Sequence, residues 1–225
     1  MTRVGVCLAG CGFLDGAEIR EAVLTLLSLS RAGAEAVCFA PDREQMHVVD
    51  HLRGESVEGE TRNVLVESAR IARGEIVSLQ DFDLNSVDAV IFPGGFGVAK
   101  NLCDFAIQGP ECTVEPEVEG LIRAARAAEM PMGFVCIAPA LAAAAMRGSG
   151  ASLELTIGND AGTAEALAAM GAQHTALDAD QAHLDRTHKV ASTPAYMLDA
   201  PLHEIAQGID RMVRDLLSLV PGHAA

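Results

Sequence analysis

A cysteine at the end of a short apolar segment is the residue best placed for covalent chemistry in this sequence. Met132 to Val135 is predicted to be a buried strand, and Cys136 follows it at once. Pro139 is tolerated only in the first turn of a helix, so a helix is expected to start near Ala138. Such a turn would hold the Cys136 thiol at the carboxyl edge of a sheet, above helix N–H groups that lower its pKa and favour nucleophilic attack. A small buried cysteine that only fills the turn is the alternative.

A glycine-rich loop follows another strand, predicted over 88–92. Gly94 and Gly95 free the backbone there to turn its N–H groups toward a ligand. Beside a nucleophile this loop could form an oxyanion hole, and an ordinary tight loop is the alternative. Asn101 and Lys100, which come soon afterwards, could line the same pocket, although a surface position is expected for Lys100.

An acidic residue, Glu18, stands at the start of the first predicted helix. The helix is expected over 16–32, with Ile19, Val23 and Leu27 among the apolar residues at helical spacing. Asp15 and Glu18 have the spacing of a capping box. A cap stabilises a helix by about 1 kcal/mol, and this role alone would explain the presence of Glu18. A carboxyl beside a thiolate in a half-buried pocket would instead have a raised pKa, which suits a general acid or base.

The order of the predicted elements defines an α/β fold with a mostly parallel sheet. Strands at 3–9 and 34–40 flank the first helix, a pattern that implies a right-handed crossover between parallel strands. No repeat or linker divides the chain, so 1–225 is predicted to form a single domain. The other predicted elements are helices at 62–73, 118–128, 161–170 and 201–219, strands at 153–158 and 189–193, and an irregular excursion at 101–115.

The composition argues against several classes of function. The chain has 225 residues, a formal charge of −15, one Tyr and no Trp, so it should bind neither nucleic acid nor an anionic membrane. No apolar stretch approaches the ~18 residues of a membrane span, and no export signal is evident. The six cysteines are therefore expected to be reduced thiols in the cytoplasm. His47 and His51 are four residues apart, a spacing that can chelate a metal, but no third ligand is evident nearby. They are therefore expected to be exposed histidines on a helix, and no metal site is expected.

The first-helix acid, the double-glycine loop and the cysteine turn together resemble the PfpI superfamily, which has the fold of class I glutamine amidotransferases. More narrowly, the chain is similar to the ElbB-like proteins, named isoprenoid-biosynthesis proteins with an amidotransferase-like domain. The matching segments span nearly the whole chain: Gly10–Gly12, Asp15–Ile19, Ala36–Asp42, Glu60–Leu65, Pro93–Leu102, Gly133–Ala140, Leu155–Gly158 and Thr193–Met197.

The resemblance implies a three-layer α/β sandwich, usually a homodimer, with Cys136 as the nucleophile. It places Glu18 where the superfamily has a glutamate that hydrogen-bonds the thiol, and it assigns the N–H groups of Gly95 and Ile137 to an oxyanion. Peptide or glutamine hydrolysis by a Cys–His pair is not expected, because Ile137 stands where protease-like members have histidine. Thr193 and its neighbours likewise stand near the histidine position of glutaminases.

The function that the resemblance implies is a cofactor-independent glyoxalase. ElbB-like proteins are credited with converting glyoxal, a small aldehyde substrate, to glycolate, an activity that can also reflect deglycation. Cys136 would add to the aldehyde and Glu18 would move a proton between the two carbons. Two alternatives stay open: a redox-responsive or regulatory homodimer in which Cys136 is oxidised, and a vestigial amidotransferase-like scaffold whose pocket binds nothing.

Overall fold

The computed structural model describes residues 1–223 and shows a seven-stranded sheet between two layers of helices. In chain order the elements are β1 (Arg3–Cys7), α1 (Ile19–Arg31), β2 (Glu35–Ala40), β3 (Val49–Asp50), β4 (Glu55–Ser56), α2 (Val64–Ile71), β5 (Ile76–Ser78), β6 (Ala89–Phe92), α3 (Phe105–Gln108), α4 (Pro116–Ala127), β7 (Met132–Val135), α5 (Ala138–Met146), β8 (Glu154–Leu155), α6 (Ala161–Ala169), β9 (Gln173–His174), β10 (His183–Asp185), β11 (Val190–Thr193) and α7 (Leu202–Leu217). A short π-helix, Val98–Leu102, begins the predicted excursion.

The strand order in the main sheet is β10–β11–β7–β6–β1–β2–β5. Every neighbouring pair is parallel except β10 and β11, which confirms the predicted mostly parallel α/β fold. All residues of β6 and β7 are buried, as expected for strands covered on both faces. Because β1, β6 and β7 lie side by side and run in one direction, the loops that follow them meet at one edge of the sheet.

Helices cover both faces of the sheet. On one face lie α1, α2 and α7, and α7 buries Ile205, Ile209, Met212 and Leu216 at helical spacing. On the other face lie α4 and α5, and all nine residues of α5 are buried. A helix that is apolar all round needs neighbours on every side, and α4, α6 and the π-helix supply them around α5.

The large apolar side chains of α1 do not all face the core. Its buried residues include Thr25 and Ser28 beside Ala22 and Leu29, whereas three of its large apolar side chains face outward. Ile19, Val23 and Leu27 are 45%, 48% and 40% exposed. Ala22, which belongs to the same row, is fully buried, so the row is divided between the core and the surface. Apolar periodicity identifies a stripe on a helix but does not say whether the sheet or a partner covers it.

Several predicted boundaries also change. The strand predicted at 153–158 shrinks to β8, and β3, β4 and β5 were not predicted because two or three residues are too few to show a hydrophobic period.

His47 and His51 lie outside the helices, contrary to expectation. Among residues 1–223 no group of three or more His, Cys, Asp or Glu side chains could hold a metal ion. Over the same residues, every helix is too short or too polar to span a membrane.

Candidate active site

Cys136 occupies a strained turn between β7 and α5. Its φ is +61°, in the left-handed region that a residue with a Cβ adopts at an energetic cost. Its N–H donates to the Thr193 carbonyl of the neighbouring strand β11 at 3.0 Å, which holds the turn against the sheet. Helix α5 begins at Ala138 with Pro139 in its first turn. The structure therefore places the thiol on the predicted strand-to-helix turn.

The double-glycine loop packs between Cys136 and the start of α1. A Cβ at Gly94 would overlap both the Cys136 Cβ and the Glu21 carboxyl. Gly95 has a φ of +100°, and a Cβ there would overlap the backbone N of Glu18. The Glu18 N–H donates to the Gly94 carbonyl at 2.9 Å. Only glycine lets this loop pass so close to its neighbours.

Two of the predicted oxyanion groups face the nucleophile. The backbone N–H groups of Gly95 and Ile137 lie close enough to the Cys136 thiol to lower its pKa. Gly94 does not join them, because its N–H faces the Glu21 carboxyl and its carbonyl is taken by Glu18. Gly94 therefore positions the loop and does not line the cavity, which corrects its predicted role in substrate binding.

Asn101 is not a substrate-binding residue either. Its amide nitrogen donates to the carbonyls of Ala9 and Asp15, both at 2.9 Å, and its oxygen accepts the Met46 N–H at 2.9 Å. The side chain is buried and its hydrogen-bonding groups are occupied, so it ties three loops together behind the site. Lys100 is similarly occupied, since its Nζ donates to the Leu14 carbonyl at 2.8 Å.

A second glutamate, Glu21, lies directly beside the nucleophile. Its side chain is fully buried, and Oε1 accepts the Tyr196 backbone N–H at 3.1 Å. Oε2 is buried and meets no hydrogen-bond donor at ordinary geometry. Burial, together with the charge of Glu18, raises the pKa of Glu21 to about 8. The carboxyl therefore carries a proton at neutral pH, and Oε2, the oxygen that lacks a donor, is the atom suited to hold it.

The position of Glu21 corrects the role that the resemblance implied for Glu18. Glu18 is the N-cap of α1 and accepts the Glu21 N–H at 2.6 Å, while Asp15 leaves the expected capping box to accept the Val49 N–H at 2.7 Å. Glu18 nevertheless lines the cavity, and partial burial raises the pKa of its carboxyl. Glu21 was missed because it lies in the interior of α1, where apolar spacing alone does not say which polar side chains are buried. A glutamate at the third position of a helix that is capped by another acid was the available signal.

The resting thiol is less acidic than the turn alone predicts. Cys136 is only 7% exposed, and burial raises the pKa of its thiol well above the ordinary value. The neighbouring Glu21 carboxyl raises it further, and the N–H groups of Gly95 and Ile137 offset part of this. The expectation of a lowered pKa is therefore wrong for the resting protein, and the thiol needs a base to take its proton.

A cavity of about 470 Å³ opens over Cys136. Its wall is mainly apolar, and the polar side chains on it are few. The apolar group includes Phe13, Phe96, Phe105, Ile137 and Met197, and the polar group comprises Glu18, Asp160, Thr163 and Tyr196. A wider depression of about 680 Å³ beside α7 contains no cysteine, so the chemistry belongs to the smaller cavity. No histidine of the described chain lines the smaller cavity.

The fold and the site together define an amidotransferase-like α/β protein with a cysteine at the strand-to-helix turn. The human glutamine amidotransferase-like class 1 domain-containing protein 3, mitochondrial, is 50% identical in an alignment of 226 positions, gaps included, which covers 96% of this chain and 83% of that protein. The chain belongs to this family. No protein-family model matches the sequence.

Solved structures agree with this assignment. The isoprenoid biosynthesis protein with amidotransferase-like domain from Ehrlichia chaffeensis is 37% identical, with a TM-score of 0.91 over 97% of this chain and 99% of that one. This neighbour confirms the predicted ElbB-like resemblance. The DJ-1 superfamily protein Atu0886 from Agrobacterium tumefaciens, 18% identical with a TM-score of 0.55 over 99% and 93% of the two chains, shares the fold.

Proposed function

We propose that this protein is a cofactor-independent glyoxalase-type enzyme that converts glyoxal or a related 2-oxoaldehyde to a hydroxy acid through Cys136. The observation that carries the proposal is the pairing of a buried thiol with a buried carboxyl whose pKa is about 8, beneath an open cavity. A carboxyl with a pKa near the working pH is suited to act as a base. The resemblance to ElbB-like proteins supports the same chemistry.

In the proposed reaction, ionised Glu21 takes the thiol proton as the Cys136 sulfur adds to the aldehyde carbon. The new C–S bond gives a hemithioacetal, whose oxygen accepts hydrogen bonds from the N–H groups of Gly95 and Ile137. Glu18, on the cavity wall, then moves the proton of that carbon to the neighbouring carbonyl carbon, whose oxygen takes the proton that Glu21 accepted from the thiol. The first carbon thereby becomes a thioester and the second an alcohol, and Glu21 is ionised again. Water hydrolyses the thioester, releasing the hydroxy acid and restoring the thiol.

The alternatives fit the site less well. Cysteines that sense oxidants are exposed and have a low pKa, whereas Cys136 is buried and its pKa is raised. A buried carboxyl with a raised pKa destabilises the fold as the pH rises. A vestigial scaffold would have no use for such a carboxyl beside a thiol. Both observations favour an enzyme whose nucleophile is deprotonated only during the reaction.

We also propose a homodimer formed through α1. The outward row of Ile19, Val23 and Leu27 recurs at helical spacing, and a contiguous apolar row is typical of an interaction surface. Val23→Glu is expected to convert a dimer to a monomer of 23.5 kDa, as measured by light scattering after gel filtration. Val77→Glu, at a similarly exposed position on β5, is the control that should stay dimeric. A wild-type protein that is monomeric at micromolar concentration would contradict the proposal.

The cytoplasmic location stays a proposal as well. It is supported by the six cysteines, all of which are free thiols, as expected in a reducing compartment. The human relative is named a mitochondrial protein. Fractionation of cells that make this protein would decide between the two compartments.

A further inference from the structure

We infer that the cavity over Cys136 selects uncharged carbonyl compounds with an apolar body larger than that of glyoxal, and that Asp160 disfavours anionic ones. The inference deepens the proposed function and rests on it for the reaction that follows binding. It is drawn from the volume, the lining and the charge of the cavity.

The cavity is large for a two-carbon substrate. Its volume of about 470 Å³ equals that of about 16 water molecules at roughly 30 Å³ each, whereas glyoxal is about the size of two or three. Phe13 and Phe96, on the cavity wall, are 48% and 47% exposed, so parts of both rings are free to contact a ligand. Phe105 and Met197 extend the apolar wall. A ligand with an aromatic or branched body would cover this surface, and glyoxal would leave most of it wet.

The charged groups on the cavity wall are both carboxyls. Asp160 caps α6 by accepting the Thr163 N–H at 2.7 Å, and its hydrogen bonds with Thr163 lower its pKa, so it is ionised at neutral pH. Glu18 is the other carboxyl. No Lys, Arg or His among the described residues lines the cavity.

Two cations lie close to cavity residues without lining the wall. The Lys100 Nζ donates to the Leu14 carbonyl and lies 5.3 Å from the centre of the Phe96 ring. Arg20 donates to the Tyr196 hydroxyl at 3.1 Å. A carboxylate or phosphate on the substrate would therefore meet negative charge without a cation on the wall to compensate it.

Alkylation of Cys136 by three iodoacetyl reagents tests the inference without requiring turnover. Iodoacetamide, its N-benzyl derivative and iodoacetate are compared at one alkaline pH, with each rate divided by the rate for free glutathione. Mass spectrometry of the Cys136 peptide gives the rates. The benzyl reagent is expected to react roughly tenfold faster than iodoacetamide after this correction, because its ring is removed from water. Iodoacetate is expected to be the slowest.

Asp160→Asn tests the charge, since Asn caps a helix as well as Asp does. The variant should raise the ratio of the iodoacetate rate to the iodoacetamide rate by about two- to fivefold, the range typical of a solvent-exposed charge. Asp83→Asn is the matched control, because Asp83 also caps a helical turn but precedes β6, at the opposite end of that strand from the site. This control should leave the ratio unchanged.

Equal corrected rates for the benzyl reagent and iodoacetamide would overturn the inference about size, and an unchanged ratio in Asp160→Asn would overturn the role of Asp160. A parallel turnover assay with glyoxal and with phenylglyoxal, a 2-oxoaldehyde that has an aromatic body, separates these failures from failure of the proposed function. Turnover without a benzyl preference supports the enzyme and rejects the inference. A benzyl preference without turnover supports the selectivity of the cavity and rejects the glyoxalase.

Discussion

Glu21→Gln is expected to abolish a large pH dependence in the stability of the fold. The pKa of Glu21 is about 8 in the folded chain against an ordinary 4.5. Between these values the folded chain holds a proton that the unfolded chain has released, so the free energy of unfolding falls as the pH rises. At about 1.4 kcal/mol per pH unit, the loss from pH 5 to pH 8 is on the order of 4 kcal/mol.

Gln keeps the oxygen that accepts the Tyr196 N–H and places an NH₂ group where the protonated Oε2 stands. The variant should therefore match the wild type near pH 5 and exceed it in stability at pH 8. Denaturant unfolding at the two pH values measures the difference. Glu165→Gln, on the exposed side of α6, is the control and should change stability by less than about 0.5 kcal/mol at either pH. A variant that loses as much stability as the wild type on going to pH 8 would rule out a buried, protonated Glu21.

Cys136→Ser is expected to reduce glyoxal turnover by at least about a thousandfold. A serine hydroxyl is a far weaker nucleophile than a thiol, and a carboxylate with a pKa of about 8 is too weak a base to ionise it. The fold should survive, since the bond that holds the turn is made by the Cys136 backbone N–H. Steady-state rates of glycolate formation, corrected for the folded fraction, measure the effect.

Cys38→Ser is the matched control for this experiment. Cys38 is also 7% exposed, but it lies in β2 and does not line the cavity. Its variant should keep the wild-type rate per folded molecule. If Cys136→Ser kept more than about a tenth of the wild-type activity, the turnover would have to come from another group.

The parts of the site that follow from local sequence were predictable. Pro139 fixes the start of α5 at the preceding residue, Ala138, and the apolar segment before Cys136 fixes the end of β7. The turn between them is therefore determined by neighbouring residues. Gly94 and Gly95 likewise predict a loop whose backbone can adopt conformations closed to other residues. The alternation of strands and helices is enough to place both turns at one edge of a parallel sheet.

The parts that depend on how elements pack were not predictable in the same way. The rotation of α1 decides which glutamate reaches the thiol, and that rotation buries Thr25 and Ser28 while part of its apolar row stays outside. The pKa of Cys136 depends on its burial by residues distant in sequence, which outweighs the helix N–H groups beneath it. The structural role of Asn101 depends on hydrogen bonds to three loops that are distant from it in sequence, so it could not be predicted locally.

The pH dependence of Cys136 alkylation by iodoacetamide, in wild type and in Glu21→Gln, tests the central claim most directly. The claim is that a buried thiol depends on ionised Glu21 to lose its proton. The wild-type rate should be low at pH 6 and rise through pH 8 as Glu21 ionises. The variant has no carboxylate at this position, so it should lack a rise centred near pH 8 and follow only the ionisation of its own thiol. Rapid alkylation of the wild type at pH 6, with the same profile in Glu21→Gln, would contradict the account.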